Sequence, residues 1–287
     1  MRAWLAMTGI ALACTSCANV VGLEDFHKRA VSESAATASE FFGLKLQLVA
    51  MKPHIGHYVE YRVIDANNYV QSRGVIDAMT SEDVELVAQR AIPRSNGPYR
   101  LDFFADVNKS GGFDGLGSVV SNDHAWRIEP LVAEPEKMRA DDIVTVTFLH
   151  STTFTNIDQY PSGTPNKAAD TGLGARIQVS GLDSYIGKTA EVRVLEKRTR
   201  HVVALYRTMR ATKSVLDAVV GGCVDVATEY DVDLWVDANG NGQYDKPGDG
   251  GDKGVRVSAT SNEQGLDARI DLASASGGAD TVDVGAP

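Results

Sequence analysis

Cysteine is scarce in this sequence, and its placement excludes two kinds of stabilising site. Only three cysteines occur in 287 residues, namely Cys14, Cys17 and Cys223. Cys14 and Cys17 alone have the close spacing of zinc ligands, but a zinc site needs a second such pair or accompanying histidines. Three cysteines also cannot build the dense disulfide framework of small secreted domains. Cys223 is expected to be a small buried apolar residue.

Clusters of basic residues are absent as well. The chain has 28 Lys and Arg residues against 38 Asp and Glu residues, which gives a formal net charge of -10 at pH 7. Proteins that bind nucleic acid present a basic face to the phosphates. Nucleic acid is therefore not expected as a partner, whereas an acidic excess favours solubility and suits cation sites.

Several catalytic motifs are missing. The sequence contains no H-E-x-x-H zinc motif, no G-x-S-x-G elbow and no phosphate-binding loop. No enzymatic activity is predicted. A cell-envelope hydrolase, which would need acidic residues clustered in a cleft, ranks third behind a structural or binding protein and a carbohydrate- or protein-adhesion module.

The apolar run at residues 3–13 is too short to span a bilayer. It follows Arg2 and precedes small residues and cysteine, the order of a secretory signal. A cysteine after small residues resembles the lipobox of bacterial lipoproteins, in which that cysteine is lipidated. Cys17 follows Thr15 and Ser16 and is the favoured site, although Cys14 is an alternative. Cleavage after Ala13, with soluble secretion, is a further alternative.

The lipobox resemblance implies an anchored, extracytoplasmic protein. It places a signal peptide at 1–16, followed by a lipidated cysteine and a tether at 17–43. Acyl chains would hold the protein at the outer membrane or the cell surface. The membrane is thus one expected partner, and an envelope protein or a polysaccharide is another.

An internal repeat determines the predicted domain organisation. LQLVAMKPHIGHYVEYRVID from Leu46 aligns with IQVSGLDSYIGKTAEVRVLE from Ile177, at an offset of 131 residues. The same offset, without a gap, aligns YRLDFFADVNKSGGFD with YDVDLWVDANGNGQYD. DHAWRI then aligns with DKGVRV after a two-residue deletion. We predict two copies of one domain, at 44–150 and 173–275, with a linker at 151–172 and a flexible tail at 276–287.

Alternation of apolar and polar residues predicts β-strands in each copy. In HYVEYRVI, for example, Val59, Tyr61 and Val63 fall on one side of a strand. About seven such segments per copy are spaced as in an antiparallel sandwich, and residues 213–220 fit a helix or a strand. The sequence therefore predicts an all-β protein with two tandem Ig-like or transthyretin-like antiparallel β-sandwich domains.

Oxygen-bearing side chains alternate in two loops of the repeat. Calcium prefers carboxylate, amide and backbone carbonyl oxygens, and a glycine permits the sharp turn that such a loop needs. The predicted ligands of the second loop are Asp237, Asn239, Asn241, Gln243 through its backbone carbonyl, Asp245, Asp249 and Asp252. Those of the first loop are Asp106, Asn108, Ser110, Asp114 and Asp123. Lys109 within the first loop predicts weaker binding there.

The second loop resembles the Asp-x-Asp/Asn-x-Asp/Asn-Gly loops of EF-hands, dockerins and thrombospondin calcium repeats. That resemblance implies a calcium ion with a structural role. Gly248 stands where an EF-hand has its bidentate glutamate, so Asp249, Asp252 or water would have to complete the shell. The alternative is a tight turn between two strands, because Asn-Gly and Asp-rich stretches favour turns without any ion.

Histidine, aromatic and paired charged residues give weaker signals. The H-x-x-H of His54 and His57 is not predicted to hold a metal, since the two need not share a face. His124 is expected to pack with Trp126 rather than to act in catalysis. Phe104 and Trp235 occupy matched positions, where burial is favoured over an exposed platform for sugar. The pairs Glu60 with Arg62 and Glu191 with Arg193 are predicted to be solvated ion pairs.

The succession of a strand, an Asp-x-Asn loop and Asp-His-Ala-Trp-Arg also resembles repeats in uncharacterised Gram-negative surface lipoproteins. The residues that carry this resemblance are Asp106, Asn108, Asp114, Asp123, His124, Trp126 and Arg127. It implies a location and a fold rather than an activity. The leading hypothesis is a structural or binding lipoprotein of the envelope.

Overall fold

The chain is built almost entirely of β-strands. The computed structural model describes residues 40–116, 123–139, 142–158, 168–246, 251–275 and 282–284. The strands are β1 (Phe41–Val49), β2 (Tyr58–Ile64), β3 (Val70–Ile76), β4 (Val84–Pro93), β5 (Tyr99–Asp106), β6 (His124–Val132), β7 (Ile143–Leu149), β8 (Leu173–Ser180), β9 (Ala190–Glu196), β10 (Val202–Thr208), β11 (Leu216–Val224), β12 (Glu229–Val236), β13 (Lys253–Thr260) and β14 (Leu266–Asp271). One helical turn, α1 (Leu272–Ala275), follows β14.

Short 3-10 turns at Lys52–His54 and Asp183–Tyr185 occupy equivalent places before β2 and β9, and a third lies at Pro135–Lys137. The leader with Cys14 and Cys17 lies outside the described residues, as do Gly248 and Asp249. None of the helices in the described ranges is long and apolar enough to cross a membrane.

Each copy of the repeat forms a β-sandwich, which confirms the predicted fold class. In the first copy, the sheet β4-β1-β7 packs on β3-β2-β5-β6, and in the second, β11-β8-β14 packs on β10-β9-β12-β13. The predicted inward positions Val59, Tyr61 and Val63 lie in the first core. Within each sandwich the strands pair antiparallel, except for β1 with β7 and β8 with β14. Of residues 213–220, which fitted a helix or a strand by sequence, those from Leu216 onward belong to strand β11.

The two sandwiches share one eight-stranded sheet. β3 and β10 pair in parallel, with Gly74 opposite Leu205 and Val75 opposite Tyr206. Val75 lies in the core of the second copy, whereas Leu205 lies in the core of the first. Because neighbouring residues of a strand point to opposite faces, the two cores lie on opposite faces of this sheet. We call the β3–β10 pairing the seam.

The described ends of the predicted linker and tail are packed rather than free. In the linker region, Ala169 forms an isolated bridge with Tyr69. In the tail, the Val282 amide donates to the Gly254 carbonyl at 2.9 Å and Val284 is buried. The prediction of a flexible tail is therefore wrong for residues 282–284, because this segment covers the edge strand β13.

Strand registers refine the repeat. Val59 lies opposite Ala105 and Ala190 lies opposite Val236, so the offset of 131 holds for β2 with β9 and for β5 with β12. Val63 lies opposite Ser72, whereas its equivalent Val194 lies opposite Ala204. The turn before β10 is thus one residue longer than the turn before β3. The ungapped alignment is therefore wrong at this turn, between β2 and β3 and between β9 and β10. The predicted domain boundary also changes, because the first sandwich begins at Phe41 instead of residue 44.

Candidate functional site

The two acidic loops follow equivalent strands, β5 and β12, and lead into β6 and β13. Each loop begins with a buried aspartate, Asp106 at 2% exposure and Asp237 at 3%. The loops project from the sheet, and the side chains of Asn239 and Asn241 are exposed. The repeat therefore places one polar loop at the same corner of each sandwich.

The second loop is organised around Asp237. Its Oδ1 accepts hydrogen bonds from the amides of Gly240 at 2.7 Å and Asn241 at 3.1 Å, and its Oδ2 accepts from Gly242 at 2.9 Å. Gly242 has a φ of 78°, a left-handed conformation that favours glycine. On the outer side, the side-chain amides of Asn239 and Asn241 both donate to Asp245 Oδ2 at 2.6 Å.

The first loop repeats this arrangement. Asp106 accepts from the amides of Ser110 at 3.1 Å and Gly111 at 2.7 Å, and Gly111 has a φ of 89°. Asn108 Nδ2 donates to Asp114 Oδ2 at 2.8 Å. The alternation of oxygen-bearing residues thus folds into the same turn twice, although the two sequences differ.

A second pair of buried aspartates fastens the ends of the loops. Asp252 Oδ1 accepts from the Ala238 amide at 3.0 Å, and its Oδ2 accepts from the Asp245 amide at 2.8 Å and from Trp235 Nε1 at 2.7 Å. In the first loop, Asp123 accepts from the equivalent amides, at 3.1 Å and 3.0 Å. Asp123 and Asp252, which the repeat alignment places at equivalent positions, therefore make equivalent hydrogen bonds in the structure.

The environments of the two fastening carboxylates differ. Phe104 replaces Trp235 in the first copy, so Asp123 has no indole donor beside it. Burial raises the pKa of the Asp123 carboxyl to about 6, and the nearby Asp114 carboxylate adds to this rise. The hydrogen bond from Asn108 lowers the pKa of Asp114.

The loops satisfy their own polar groups. Asn239 Oδ1 accepts from the Asn241 amide at 2.9 Å, and Asn241 Oδ1 accepts from the Gln243 amide at 2.7 Å. Among the described residues, no group of three or more His, Cys, Asp or Glu side chains is placed as a ready set of metal ligands. A calcium ion would therefore have to draw on amide and backbone oxygens and reorient the asparagine side chains.

A lysine lies beside each loop. Lys109 stands in the first loop with a φ of 63°, where the second loop has Gly240. A Cβ added at Gly240 would lie only 2.5 Å from Lys188 Nζ, so the Lys188 ammonium reaches the second loop from the neighbouring turn. The charge difference that the sequence predicts between the loops is thus smaller in the structure.

The paired aromatic residues are buried, as predicted. Phe104 is fully buried and Trp235 is 1% exposed, while Trp126 is 3% exposed. Arg62 lies over the Phe104 ring at 5.6 Å, and Arg207 lies over the Trp235 ring at 5.4 Å. Neither tryptophan offers a platform to a sugar ring in this structure.

The predicted solvated ion pairs are buried, so that prediction is wrong. Glu60 accepts from Arg62 Nε at 2.8 Å and from Arg73 Nη1 at 3.2 Å. Glu191, which is fully buried, pairs with Arg193 at 2.7 Å and Arg207 at 2.9 Å. Arg73 and Arg207 come from the seam strands, and the neighbouring sandwich covers these faces.

A cleft of 540 Å³ opens beside the first loop, between the two sandwiches. Its lining includes Tyr58, Glu60, Arg62, Arg73, Phe113, Tyr206 and Asp217. Glu60 is already paired with two arginines, and Asp217 accepts both hydrogen bonds of Arg176. Both carboxylates of the cleft lining are therefore engaged in ion pairs.

The structure also brings together histidines that sequence reasoning treated separately. His54, His57, His124 and His150 meet at one end of the first sandwich, next to Trp126. They come from three chain segments, because His54 and His57 both precede β2, whereas His124 begins β6 and His150 follows β7. No local motif links these three segments. The repeat contained one indication that these histidines are special to the first copy: none of the four has a histidine at the equivalent position of the second copy.

Comparison with known proteins shows no family for this chain. No family model matches it, and no curated protein matches it. Among solved structures, the tip fimbrial protein Mfa3 from Porphyromonas gingivalis with C-terminal truncation aligns at 10% identity and a TM-score of 0.25. That alignment covers 75% of this chain and 81% of the fimbrial protein.

Proposed function

We propose that this chain is a lipid-anchored, extracytoplasmic protein of the cell envelope with a structural or binding role. The observation that carries the proposal is the pair of acidic loops, which have the same hydrogen-bond network at the same corner of both sandwiches. The lipobox-type leader supports the anchored location. No catalytic role is proposed.

The loops are proposed to bind calcium as a structural ion. In each loop a buried aspartate, Asp106 or Asp237, and an outer aspartate, Asp114 or Asp245, lie on either side of a turn that contains two amide or hydroxyl side chains. Calcium takes about six to eight oxygen ligands at flexible angles, so reoriented asparagines, backbone carbonyls and water can complete the shell. An ion bound there would join the end of β12 to the start of β13.

A polysaccharide or protein ligand remains the alternative. Because Trp126 and Trp235 are buried, such a ligand would have to use the cleft between the sandwiches. Tyr58, Phe113 and Tyr206 provide aromatic surface there beside the Glu60–Arg73 pair. This combination suits a charged sugar better than an apolar ligand.

Calcium is expected to raise the melting temperature of the mature chain and to release or absorb heat in a calorimetric titration. At a free calcium concentration of about 100 times Kd, the added stability is about 2.7 kcal/mol. Asp245→Asn keeps an acceptor for the two asparagine amides but removes one charge. We expect it to weaken calcium binding at the second loop about tenfold or more.

The matched control is Asp267→Asn, an exposed acid of β14 outside both loops, which should leave the titration unchanged. Asp114→Asn tests the first loop, where Lys109 should make the loss smaller. If the titration shows no heat of calcium binding, and if adding a chelator does not change the melting temperature, the loops are turns only.

The anchor is tested by labelling cells with a fatty-acid analogue. Wild-type protein is expected in the membrane fraction with the label attached, and Cys17→Ser should abolish the label and release the protein. Cys14→Ser serves as the control and should stay labelled. The reverse pattern would assign the lipid to Cys14, and absence of label from the wild type would favour soluble secretion.

A further inference from the structure

Four histidines form a cluster at one end of the first sandwich. The ring centroid of His54 lies 5.2 Å from those of His124 and His150 and 5.8 Å from that of His57. His54 is 1% exposed. The chain has six histidines, and four of them converge on this one place from three separate segments. We call His54, His57, His124 and His150 the histidine cluster.

The ring nitrogens of the cluster are poorly satisfied. One hydrogen bond joins two of the rings, between His54 Nε2 and His150 Nε2 at 3.2 Å. His54 Nδ1, His57 Nδ1 and both ring nitrogens of His124 are buried without a hydrogen-bond partner. Leaving a buried polar atom without a hydrogen-bond partner is unfavourable for folding. The cluster therefore has nitrogen lone pairs or N–H groups that the protein itself does not use.

The second copy shows that the fold does not need histidine at these positions. Strand registers and the matching 3-10 turns put Tyr185 at the place of His54 and Lys188 at that of His57. Lys253 replaces His124, and Leu272 replaces His150. The same end of the sandwich thus closes without a single histidine, so the histidine cluster is an addition to the domain rather than a packing requirement.

The surroundings favour neutral imidazoles. Burial, followed by the neighbouring His124, His150 and His57, lowers the pKa of His54 to about 3. Burial and His150 lower the pKa of His124, and burial and Lys109 lower that of His57 against the opposing effect of Asp106. Neutral imidazole is the form that binds metal ions.

We propose that the histidine cluster is a binding site for a divalent transition-metal ion, with His54, His150 and His124 as ligands. Two imidazole nitrogens bound to one tetrahedral Zn²⁺ at about 2.0–2.1 Å lie about 3.4 Å apart. The His54–His150 separation of 3.2 Å is close to that spacing. His57 or water would occupy the fourth position.

Two ligands are in place and the third must move. No three such side chains of the described ranges already surround a common point. His124 stacks on Phe154 with centroids 4.0 Å apart, and its ring has to leave that stack to reach the metal. Imidazole nitrogen suits Zn²⁺, Ni²⁺ and Cu²⁺ and does not suit Ca²⁺, which prefers oxygen. This site is therefore chemically distinct from the acidic loops.

The test is a Zn²⁺ titration of the full mature chain by calorimetry, in buffer that already contains calcium. We expect one Zn²⁺ bound per chain at the cluster and a rise in melting temperature. His150→Gln and His124→Gln should each weaken this binding at least tenfold. Substitution by Co²⁺ should give the intense visible absorption of a tetrahedral site, which a merely structural histidine would not produce.

His201→Gln is the control, because His201 lies at another place, stacked on Phe41. It should retain zinc affinity whatever it does to stability. Circular dichroism verifies that each variant is folded before titration. Lys253→His, which places a histidine at the equivalent position of the second copy, should add no zinc site. Unchanged zinc affinity in His150→Gln and His124→Gln, or the pale octahedral spectrum of Co²⁺, would overturn the proposal.

Discussion

Replacing Asp102 by asparagine is expected to lower the free energy of unfolding by about 3–5 kcal/mol, the usual cost of breaking a buried ion pair from one side. Asp102 is 1% exposed and accepts two parallel hydrogen bonds from Arg127, at 2.7 Å from Nε and 2.8 Å from Nη2. Arg100 Nε lies 3.6 Å away. The substitution therefore leaves two buried guanidinium groups without their carboxylate.

The chain provides a matched control in Asp217. It accepts the same two-pronged pair of bonds from Arg176, at 3.1 Å and 2.8 Å, but both side chains are exposed. Because solvent screens this pair, Asp217→Asn should leave the denaturation midpoint unchanged. Urea unfolding followed by tryptophan fluorescence measures both variants. Equal midpoints for the two variants would contradict the assignment of Asp102 as a buried anchor.

The second large effect is expected at Gly74, in the seam. A Cβ at this position would lie 2.0 Å from Tyr61 Cε1 and 2.4 Å from Cζ, inside a packed core. Tyr61 is only 1% exposed and has no room to move away. Gly74→Val should therefore lower the free energy of unfolding by about 3 kcal/mol, as overpacking does.

The second copy suggests how the clash can be relieved. There, Val192 stands at the place of Tyr61 and Tyr206 at that of Gly74, so the large residue is on the other strand. Adding Tyr61→Val to Gly74→Val should recover stability, with a coupling energy of about 2 kcal/mol in a double-mutant cycle. If the losses in unfolding free energy from the two substitutions are additive, the Tyr61 ring is not what excludes a side chain at position 74.

Gly221→Val is the control for this cycle. Gly221 is an exposed glycine of strand β11, and a Cβ there would meet only Arg73 Nη1, at 3.9 Å. A β-branched residue suits such a strand position. Its unfolding midpoint should stay at or above that of the wild type.

Much of the fold could be predicted from the sequence because it depends on local periodicity. Alternating segments such as HYVEYRVI mark strands directly, and the repeat assigns them to two domains. The match of Asp123 with Asp252 also followed from the repeat, and both carboxylates fasten their loops. In contrast, the local sequence of residues 213–220 does not distinguish a helix from a strand, because pairing with β8 determines the strand.

The seam could not be predicted, because edge pairing between β3 and β10 leaves no periodic signal. The burial of charged residues beside the seam could not be predicted for the same reason. Glu60 and Arg62 alternate with apolar residues and so fit a solvated face, yet Arg73 and the neighbouring sandwich bury them. The histidine cluster depends on contacts such as His54 with His150, which only the folded chain brings together.

In terms of symmetry, the seam is a pseudo-symmetric contact, in which the same edge strand of each copy meets its equivalent in parallel with a shift of one residue. Covalent linkage turns that association into an intramolecular one, so the partner edge is always present at high effective concentration. The edge strands β3 and β10 are thereby protected from pairing with other chains.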